Sequence, residues 1–415
     1  MLETSKPIVA PARFTDRKYL VTLIFVTSLF MFWGIAITMG DVLNKHFQLV
    51  LSLSKTQSAF VQFAIFGAYF VMGIPAGLFM KRFGYKNGVL LGLSLFATGS
   101  FLFVPAAATA SFPYFGVALF ILGCGLSTLE TVAHPFVAAL GDQRTSDQRI
   151  NFAQAFNALG AILGPAIGSY FLLRTNVPGS TDLTSVKVLY IAIGSVIAFI
   201  AFCFAFVKVP ELTDPHQEEA SEATEGVVAS GSWRSLFAHR HFRWAVIAQF
   251  FNVAAQGGTW AFFINYGHEK MGFSDNVAGN YMVLFMGLML IGRFVGTFLM
   301  KFIAPHSLLA IFAVCNIFAC ILVGQDLGLV SFIALLSLNF FFSIMFPTIF
   351  SLGLKNLGKD TQQASSFISM GVVGGAVFPF LMGAVADHNV AHAYYLPIIC
   401  YFMIFLFGFK YYKAK

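Results

Sequence analysis

Long apolar stretches alternate with short polar ones along almost the whole chain. A helix that crosses a bilayer needs about 20 mostly apolar residues, and this length predicts twelve transmembrane helices in two groups of six. They are expected near residues 19–44, 57–80, 87–107, 112–140, 150–173 and 187–207, and then near 242–266, 277–301, 307–324, 328–354, 362–386 and 392–412. The pattern therefore predicts an all-α membrane protein built from two six-helix bundles.

One long hydrophilic segment, residues 210–240, separates the two groups. It is acidic first, then small and polar, and finally basic. We place an N-terminal six-helix bundle at 1–207, a cytoplasmic linker at 208–241 and a C-terminal six-helix bundle at 242–415.

The two halves also resemble each other in sequence. GIPAGLFMKRFGYKNGVLLG (73–92) and IGRFVGTFLMKFIAPHSLLA (291–310) each combine two glycines four residues apart with basic residues at the next turn. This spacing predicts close helix approach at Gly73/Gly77 and at Gly292/Gly296. Two repeated bundles are typical of transporters that rock around a central site.

Composition excludes a water-soluble globule, because 58% of the residues are hydrophobic and only 10% are charged, against about 25% charged residues in soluble domains. Of the 25 Lys and Arg residues, 19 fall on the side of the two termini and 5 on the other side, and Arg293 lies inside the eighth span. This asymmetry predicts cytoplasmic termini, and the expected location is the plasma membrane (for a bacterium, the inner membrane). The net charge of +7 therefore reflects topology in a lipid bilayer, and no nucleic-acid partner is expected.

Two acidic residues lie within predicted spans, where an acidic residue costs about 2.5–3.5 kcal/mol near the bilayer centre. Glu130 is central in GLSTLETVAHPFVAALG (125–141), and Asp41 lies towards the outer end of the first span. A coupling role is favoured over a structural ion pair for Glu130, and over a solvated helix end for Asp41. His134, one turn after Glu130, is expected to share its proton, bind a ligand or only line the cavity. No metal site is expected, since one His and one carboxylate are half a ligand set.

Polar side chains recur at helical spacing in two further spans. Amides offer both hydrogen-bond donors and acceptors, so these stripes favour a cavity for a hydroxyl-rich ligand, with helix-joining amides as the alternative. For Arg293, a gate or anchor and simple snorkelling remain equally open. The stripes are Asn151, Gln154 and Asn157 in the fifth span, and Gln249, Asn252, Gln256 and Trp260 in the seventh. For the single amides Asn280 and Asn339, ligand binding and helix joining remain equally open.

The chain resembles the fucose–proton symporter branch of the major facilitator superfamily, which also carries glucose, galactose and N-acetylglucosamine. The resemblance runs through ETVAHPFVAALG, RINFAQAFNALGAI, RWAVIAQFFNVAAQ, IGRFVGTFLMKFIAPH, FPTIFSLGLKNLG and SSFISMGVVGGAVFP. It implies alternating access, with a monosaccharide and a coupling cation at the centre. By motif, the family's two key carboxylates match Asp41 and Glu130, and its fifth- and seventh-helix amides match Gln154 and Asn157, and Gln249 and Gln256.

Two positions depart from the family pattern, and both lie where the sugar or the ion would be selected. The first span reads AITMGD, with Thr38 and Gly40 where the family has several Asn residues, and His134 replaces an Asn before the fourth-span proline. The sequence therefore predicts a monomeric symporter of a monosaccharide with H⁺ or Na⁺, without a cofactor. A metabolite or drug efflux antiporter and a non-transporting sugar sensor are the rivals. An intramembrane enzyme is disfavoured, because no nucleophile elbow, Walker loop or zinc-protease motif is present.

Overall fold

A computed structural model describes residues 14–141, 146–173, 183–207, 236–300, 302–355, 357 and 361–413. Within these ranges the chain is helical, apart from short turns, and no β-strand occurs there. Most of the predicted linker, 208–235, lies outside the described residues.

Six long helices form each half of the described chain. The N-terminal half contains α1 (Leu20–Val50), α2 (Lys55–Met80), α3 (Arg82–Thr109), α4 (Phe112–Ala139), α5 (Ser146–Gly168) and α6 (Thr184–Phe206). The C-terminal half contains α7 (Arg240–Ala261, continued by Phe263–Met271), α8 (Asp275–Leu299), α9 (Pro305–Gly324), α10 (Leu329–Leu354), α11 (Thr361–Met370 and Gly374–Ala386) and α12 (Pro397–Leu406, continued by Phe407–Tyr411). Every predicted span corresponds to one of these helices.

Eleven helices of the described chain are long and apolar enough to cross a membrane, and α7 is the predicted span that is not among them. Its 22 residues suffice in length, but Gln249, Asn252 and Gln256 interrupt its apolar sequence. A polar helix is tolerated inside a membrane protein when protein or a water-filled cavity covers its polar side chains. The polarity of α7 is therefore a reason to expect it at the interior of the bundle.

The chain reverses between α2 and α3 at a glycine in the first turn of α3. Helical hydrogen bonds continue through Phe60–Phe101, and the residue there with non-helical backbone angles is Gly84, at φ +80° and ψ 170°. This conformation is essentially restricted to glycine. Gly84 thus supplies the reversal at the basic turn that joins two spans.

Because successive helices alternate in direction, the described chain ends, Phe14 and Lys413, lie at one end of the bundle, which we call the terminal face. The end reached by the loops after α1, α7 and α11 is the opposite face. Each half has its own apolar core, one formed mainly by α1–α6 and the other mainly by α7–α12. The halves contact each other chiefly through α5 against α8 and α2 against α11.

Of the two glycine pairs expected to bring helices together, only the C-terminal pair does so. A Cβ atom at Gly292 would lie 2.3 Å from the Phe340 carbonyl oxygen of α10, and one at Gly296 would lie 2.4 Å from Ile344. At Gly73 nothing lies within 4 Å, and Gly77 has only an ordinary contact. The prediction was wrong for this pair because its face of α2 has no helix packed closely against it.

The closest helix contact in the N-terminal half instead joins α1 and α5. A Cβ atom at Gly160 would lie 2.0 Å from the Met31 carbonyl oxygen, and one at Gly34 would lie 2.2 Å from the Asn157 carbonyl oxygen. The obstacles are backbone atoms, which a side-chain rotation cannot remove. This contact fixes the position of α1 against the polar stripe of α5.

We expect Gly160→Ala to destabilise the protein by about 1–3 kcal/mol, the usual range for overpacking a well-packed interior. The measurement is the apparent melting temperature of the purified protein in detergent, with Gly73→Ala as the matched control. Because Gly73 has free space around it, the control should melt like the wild type. Equal melting temperatures for both variants would contradict the close α1–α5 contact.

Candidate functional site

The site is built around Glu130 on α4, a half-buried carboxyl group. Tyr69 of α2 lies close enough to that carboxyl for the two groups to interact electrostatically. Trp33 of α1 donates its indole N–H to the Tyr69 oxygen. Three helices thus converge on one acidic group, which explains how an apolar span accommodates it. Neither Trp33 nor Tyr69 carried a signal in the sequence, since single aromatic residues are common in such spans.

His134 is bonded on both ring nitrogens. Its Nδ1 lies 2.9 Å from the Glu130 backbone carbonyl oxygen, and its Nε2 lies 2.7 Å from Nε2 of Gln154 on α5. The carbonyl can only accept, so Nδ1 carries the proton, and Nε2 then accepts from the Gln154 amide. This arrangement fixes the orientation of the Gln154 side chain. His134 contacts the backbone of Glu130 and has no described bond to its carboxyl group.

Asn157 lies about one turn beyond Gln154 on α5. Its amide nitrogen donates to the Phe30 carbonyl oxygen of α1 at 3.1 Å. Asn157 and Gln154 are both half-buried, like Glu130 and His134. These four side chains therefore form one polar surface on the N-terminal half, which we call the polar wall. The side chain of Asn151, the remaining member of the fifth-span stripe, lies outside the described residues.

The polar side chains of α7 divide into three groups. Gln256 is half-buried and suited to a cavity. Gln249 and Asn252 are fully buried, and none of their amide atoms has a hydrogen-bond partner among the described residues. Trp260 is only 4% exposed and donates its indole N–H to Asn339 of α10 at 3.1 Å.

Two expected ligand-binding residues, Trp260 and Asn280, and the single amide Asn339 lie away from the polar wall. Trp260 and Asn339 hold α7, α8 and α10 together, because Asn339 also donates to the Phe285 carbonyl oxygen. Asn280 is exposed on the face of α8 that also bears Val277 and Leu284, so it points away from the bundle. Helical spacing placed Trp260 on one face of α7 but could not tell whether that face meets a cavity, and the single amides Asn280 and Asn339 had no such spacing.

Thr38 is also not part of the polar wall. Its hydroxyl donates to the Gly34 carbonyl oxygen of its own helix, and it is 1% exposed. A Cβ atom at Gly164 would lie 2.1 Å from the Thr38 oxygen. Thr38 is therefore a packing residue between α1 and α5 in this conformation.

Asp41 is buried at a different depth from Glu130. Its carboxyl accepts a hydrogen bond from Gln62 of α2 at 3.1 Å. Asp41 follows Trp33 by eight residues on α1, which corresponds to about 12 Å along the helix axis. The two carboxyl groups thus occupy separate levels, with Asp41 nearer the opposite face.

Arg293 joins elements within the C-terminal half. Its Nε lies 3.4 Å from the Ser343 carbonyl oxygen, at the break between two helical segments of α10. This contact favours the anchor role over simple snorkelling. No contact with the N-terminal half is recorded for it among the described residues.

Polar contacts close the opposite face between the two halves. Lys55, at the start of α2, binds Glu269 at 3.0 Å and the Ala386 carbonyl oxygen at 2.7 Å. Asp387, just after α11, accepts from the Lys55 backbone N–H at 2.6 Å and from the Thr56 hydroxyl at 2.6 Å. We call this group of residues the latch. Its members are distant in sequence, and nothing in the sequence indicated the pairing.

Further contacts between the halves lie at the same end. Lys45 of α1 binds Asp275 of α8 at 3.3 Å, and Asn265 donates to Gln48 at 2.6 Å. The two halves are therefore held together at the opposite face.

The model of the Major Facilitator Superfamily matches residues 19–379. The chain is 37% identical to the L-fucose-proton symporter of Escherichia coli K12, over 95% of this chain and 93% of that protein. It is 34% identical to a glucose/galactose transporter of Brucella abortus strain 2308, over 95% of each.

Solved structures agree with this assignment. A substituted form of the E. coli fucose:proton symporter is 35% identical and superimposes with a TM-score of 0.71, over 96% of this chain and all of that chain. The E. coli xylose transporter in an inward-open conformation gives a TM-score of 0.71 over 96% of this chain and 97% of that one. At 14% identity, that likeness concerns the fold alone. The protein is a multi-pass membrane protein that belongs to the Major Facilitator Superfamily.

Proposed function

We propose that this protein is a secondary active transporter that carries a monosaccharide together with a cation by alternating access. The observation that carries the proposal is the polar wall: a half-buried acid, an imidazole and two amides on two bonded helices in an apolar bundle. Amides and imidazole can both donate to and accept from sugar hydroxyls. An efflux carrier for apolar compounds would have no need of such a surface.

We propose H⁺ as the coupling ion and Glu130 as its binding site. A proton needs one carboxyl group, and the side chain described beside the Glu130 carboxyl is that of a tyrosine. The names of the E. coli relative and of a Haemophilus influenzae relative, both L-fucose-proton symporters, support this choice over Na⁺. Asp41 lies nearer the opposite face, and we propose that it responds to the opening and closing of that face rather than contacting the sugar.

We propose that Gln154, Asn157, His134 and Gln256 contact the sugar. Gln249 and Asn252 are proposed to join them when the helices move, because buried amides without partners are costly. The substrate is proposed to be a hexose or 6-deoxyhexose of the glucose, galactose and fucose class, since relatives with these names match over nearly the whole chain.

The terminal face is proposed to be cytoplasmic, because the excess of Lys and Arg lies there. With that orientation, the conformation described above is closed towards the outside of the cell. We further propose a monomer in the plasma membrane, with bundle boundaries at 207 and 242.

Uptake into proteoliposomes tests the function and the ion together. With L-fucose, D-glucose and D-galactose supplied separately, an inward proton gradient of one pH unit should concentrate at least one sugar up to about tenfold, since tenfold corresponds to about 1.4 kcal/mol. An equal sodium gradient without a proton gradient should give no accumulation. Accumulation with sodium alone would overturn the choice of ion, and no accumulation of any sugar with either gradient would overturn the function.

A further inference from the structure

A groove runs between α9 and α12 on the outside of the C-terminal half. It has a volume of about 470 Å³ and is lined mainly by apolar side chains, with His306 and Ser307 at its terminal-face end. Ile311 on the α9 side and Phe409 on the α12 side are 48% and 67% exposed. Because apolar side chains exposed on membrane-spanning helices face the acyl chains of the bilayer, the groove opens towards lipid.

The shape of the groove is fixed by a backbone contact at its terminal-face end. Gly408 lies in the wide helical turn Phe407–Tyr411 that ends α12. A Cβ atom at Gly408 would lie 2.9 Å from the His306 carbonyl oxygen and 3.1 Å from the Ala310 backbone nitrogen. The two helices therefore touch at Gly408, and the neighbouring Phe409 lines the groove.

Basic and aromatic side chains gather at the same end of α12. The ring of His306 stacks on Tyr412, with ring centroids 3.8 Å apart. Tyrosine is common where a span meets the membrane surface. The basic cluster, as we call it, consists of three side chains near the Tyr411 and Tyr412 rings: Arg240 at 4.5 Å and Lys410 at 5.6 Å from the Tyr411 centroid, and Lys413 at 6.0 Å from the Tyr412 centroid.

No described carboxylate of the C-terminal half balances the charge of the basic cluster. A ring face attracts a cation without neutralising it, and ammonium and guanidinium groups offer three and five N–H donors. Cationic donors beside an apolar groove match the two parts of an anionic phospholipid, its phosphate and its acyl chains. The described acidic residues of this half all lie at the opposite face: Glu269, Asp275, Asp326 and Asp387.

We propose that the groove between α9 and α12 binds one anionic phospholipid from the leaflet at the terminal face. An acyl chain lies between Ile311 and Phe409, and the phosphate accepts hydrogen bonds from Lys410 and Lys413. A zwitterionic lipid fits the groove equally well but has no net charge for the basic cluster to attract. The site is separate from the polar wall and does not depend on which substrate is transported.

Lipid binding to the purified protein in detergent tests the proposal. Dioleoylphosphatidylglycerol and dioleoylphosphatidylcholine, which have the same acyl chains, are titrated separately, and bound lipids are counted by native mass spectrometry. One molecule of the anionic lipid should bind about tenfold more tightly than the zwitterionic one. Equal affinities, or no retained anionic lipid, would overturn the proposal.

Glycerol 3-phosphate distinguishes a lipid site from a site for free phosphate compounds, because it carries the phosphate without the chains. Added in large excess, it should leave the bound phosphatidylglycerol in place. Displacement of the lipid by this soluble compound would overturn the assignment of the groove to a phospholipid.

Removal of charge tests the basic cluster. Lys410→Gln combined with Lys413→Gln should weaken phosphatidylglycerol binding about tenfold or more, since one basic residue at a membrane surface contributes about fivefold in affinity. Phosphatidylcholine binding should not change. The matched control is Arg17→Gln with Lys18→Gln, which removes the same charge at the terminal face beside another tyrosine, Tyr19, in the N-terminal half. Equal weakening by both pairs would show non-specific surface attraction and contradict the proposal.

Filling the groove tests the acyl-chain site independently of charge. Ile311→Trp should weaken binding of both lipids about threefold to tenfold, because the larger side chain occupies apolar space that a chain would otherwise fill. Ile333→Trp on α10 is the control, since Ile333 is 58% exposed and does not line the groove. Both positions are exposed, so neither substitution disturbs the core. If the two variants bind phosphatidylglycerol alike, the groove is not the site.

Discussion

Glu130→Gln is expected to abolish concentrative sugar uptake while leaving exchange of sugar across the membrane. Glutamine has nearly the same shape as a protonated glutamate and, like it, offers both a donor and an acceptor, so the loaded carrier keeps its geometry. It cannot release a proton, and the proton gradient therefore no longer drives the cycle. With a gradient of one pH unit, the accumulation ratio should fall from about ten to one.

The measurement compares two assays in the same proteoliposomes: uptake under an imposed proton gradient, and counterflow of labelled sugar against unlabelled sugar without a gradient. Asp326→Asn is the control, since Asp326 is a carboxylate at the opposite face that pairs with Lys270 within the C-terminal half. It should retain both activities. Concentrative uptake by Glu130→Gln, or loss of counterflow together with uptake, would contradict the assigned role.

Asp387→Ala is expected to open the opposite face. The substitution removes hydrogen bonds of 2.6 Å from the Lys55 backbone, 3.2 Å from the Thr56 backbone and 2.6 Å from the Thr56 hydroxyl. Hydrogen bonds to charged groups contribute about 1.5–3 kcal/mol each when well made, and partial exposure lowers this value. A net loss of about 1.4 kcal/mol would already change the ratio of closed to open molecules tenfold.

The opening can be measured with a cysteine at position 59, in a background that lacks the five native cysteines. Ala59 is 0% exposed at the start of α2, so Ala59→Cys should react slowly with a membrane-impermeant maleimide added at the opposite face. Asp387→Ala should raise that rate about tenfold.

Lys270→Ala provides the control for the latch. It breaks an ion pair of 2.8 Å at the same face, but both partners belong to the C-terminal half. The labelling rate should therefore stay at the wild-type value. Equal acceleration by both variants would mean that surface charge, and not closure between the halves, controls access.

The number and type of helices could be predicted from sequence because the bilayer imposes one length on every span. Glu130 could be singled out for a related reason: a carboxyl group in an apolar span is costly wherever it lies. Gln154 and Asn157 could be placed on one helical face by their spacing. Each of these inferences depends on a property of a single segment.

Which face of each helix meets the interior was decided only by the packing of the helices. In a membrane the lipid-facing side of a helix is as apolar as the core, so hydrophobic periodicity cannot separate the two sides. Asn280 and Gln154 are both amides within apolar spans, but Asn280 points away from the bundle and Gln154 lies in the polar wall. Partners are likewise set by tertiary structure. Tyr69 reaches Glu130, and Lys55 reaches Asp387 from 332 residues away, because helices remote in sequence are neighbours in space. The sequence by itself determined the spans and the acid at their centre; the tertiary structure decided what that acid touches and which end of the bundle is closed.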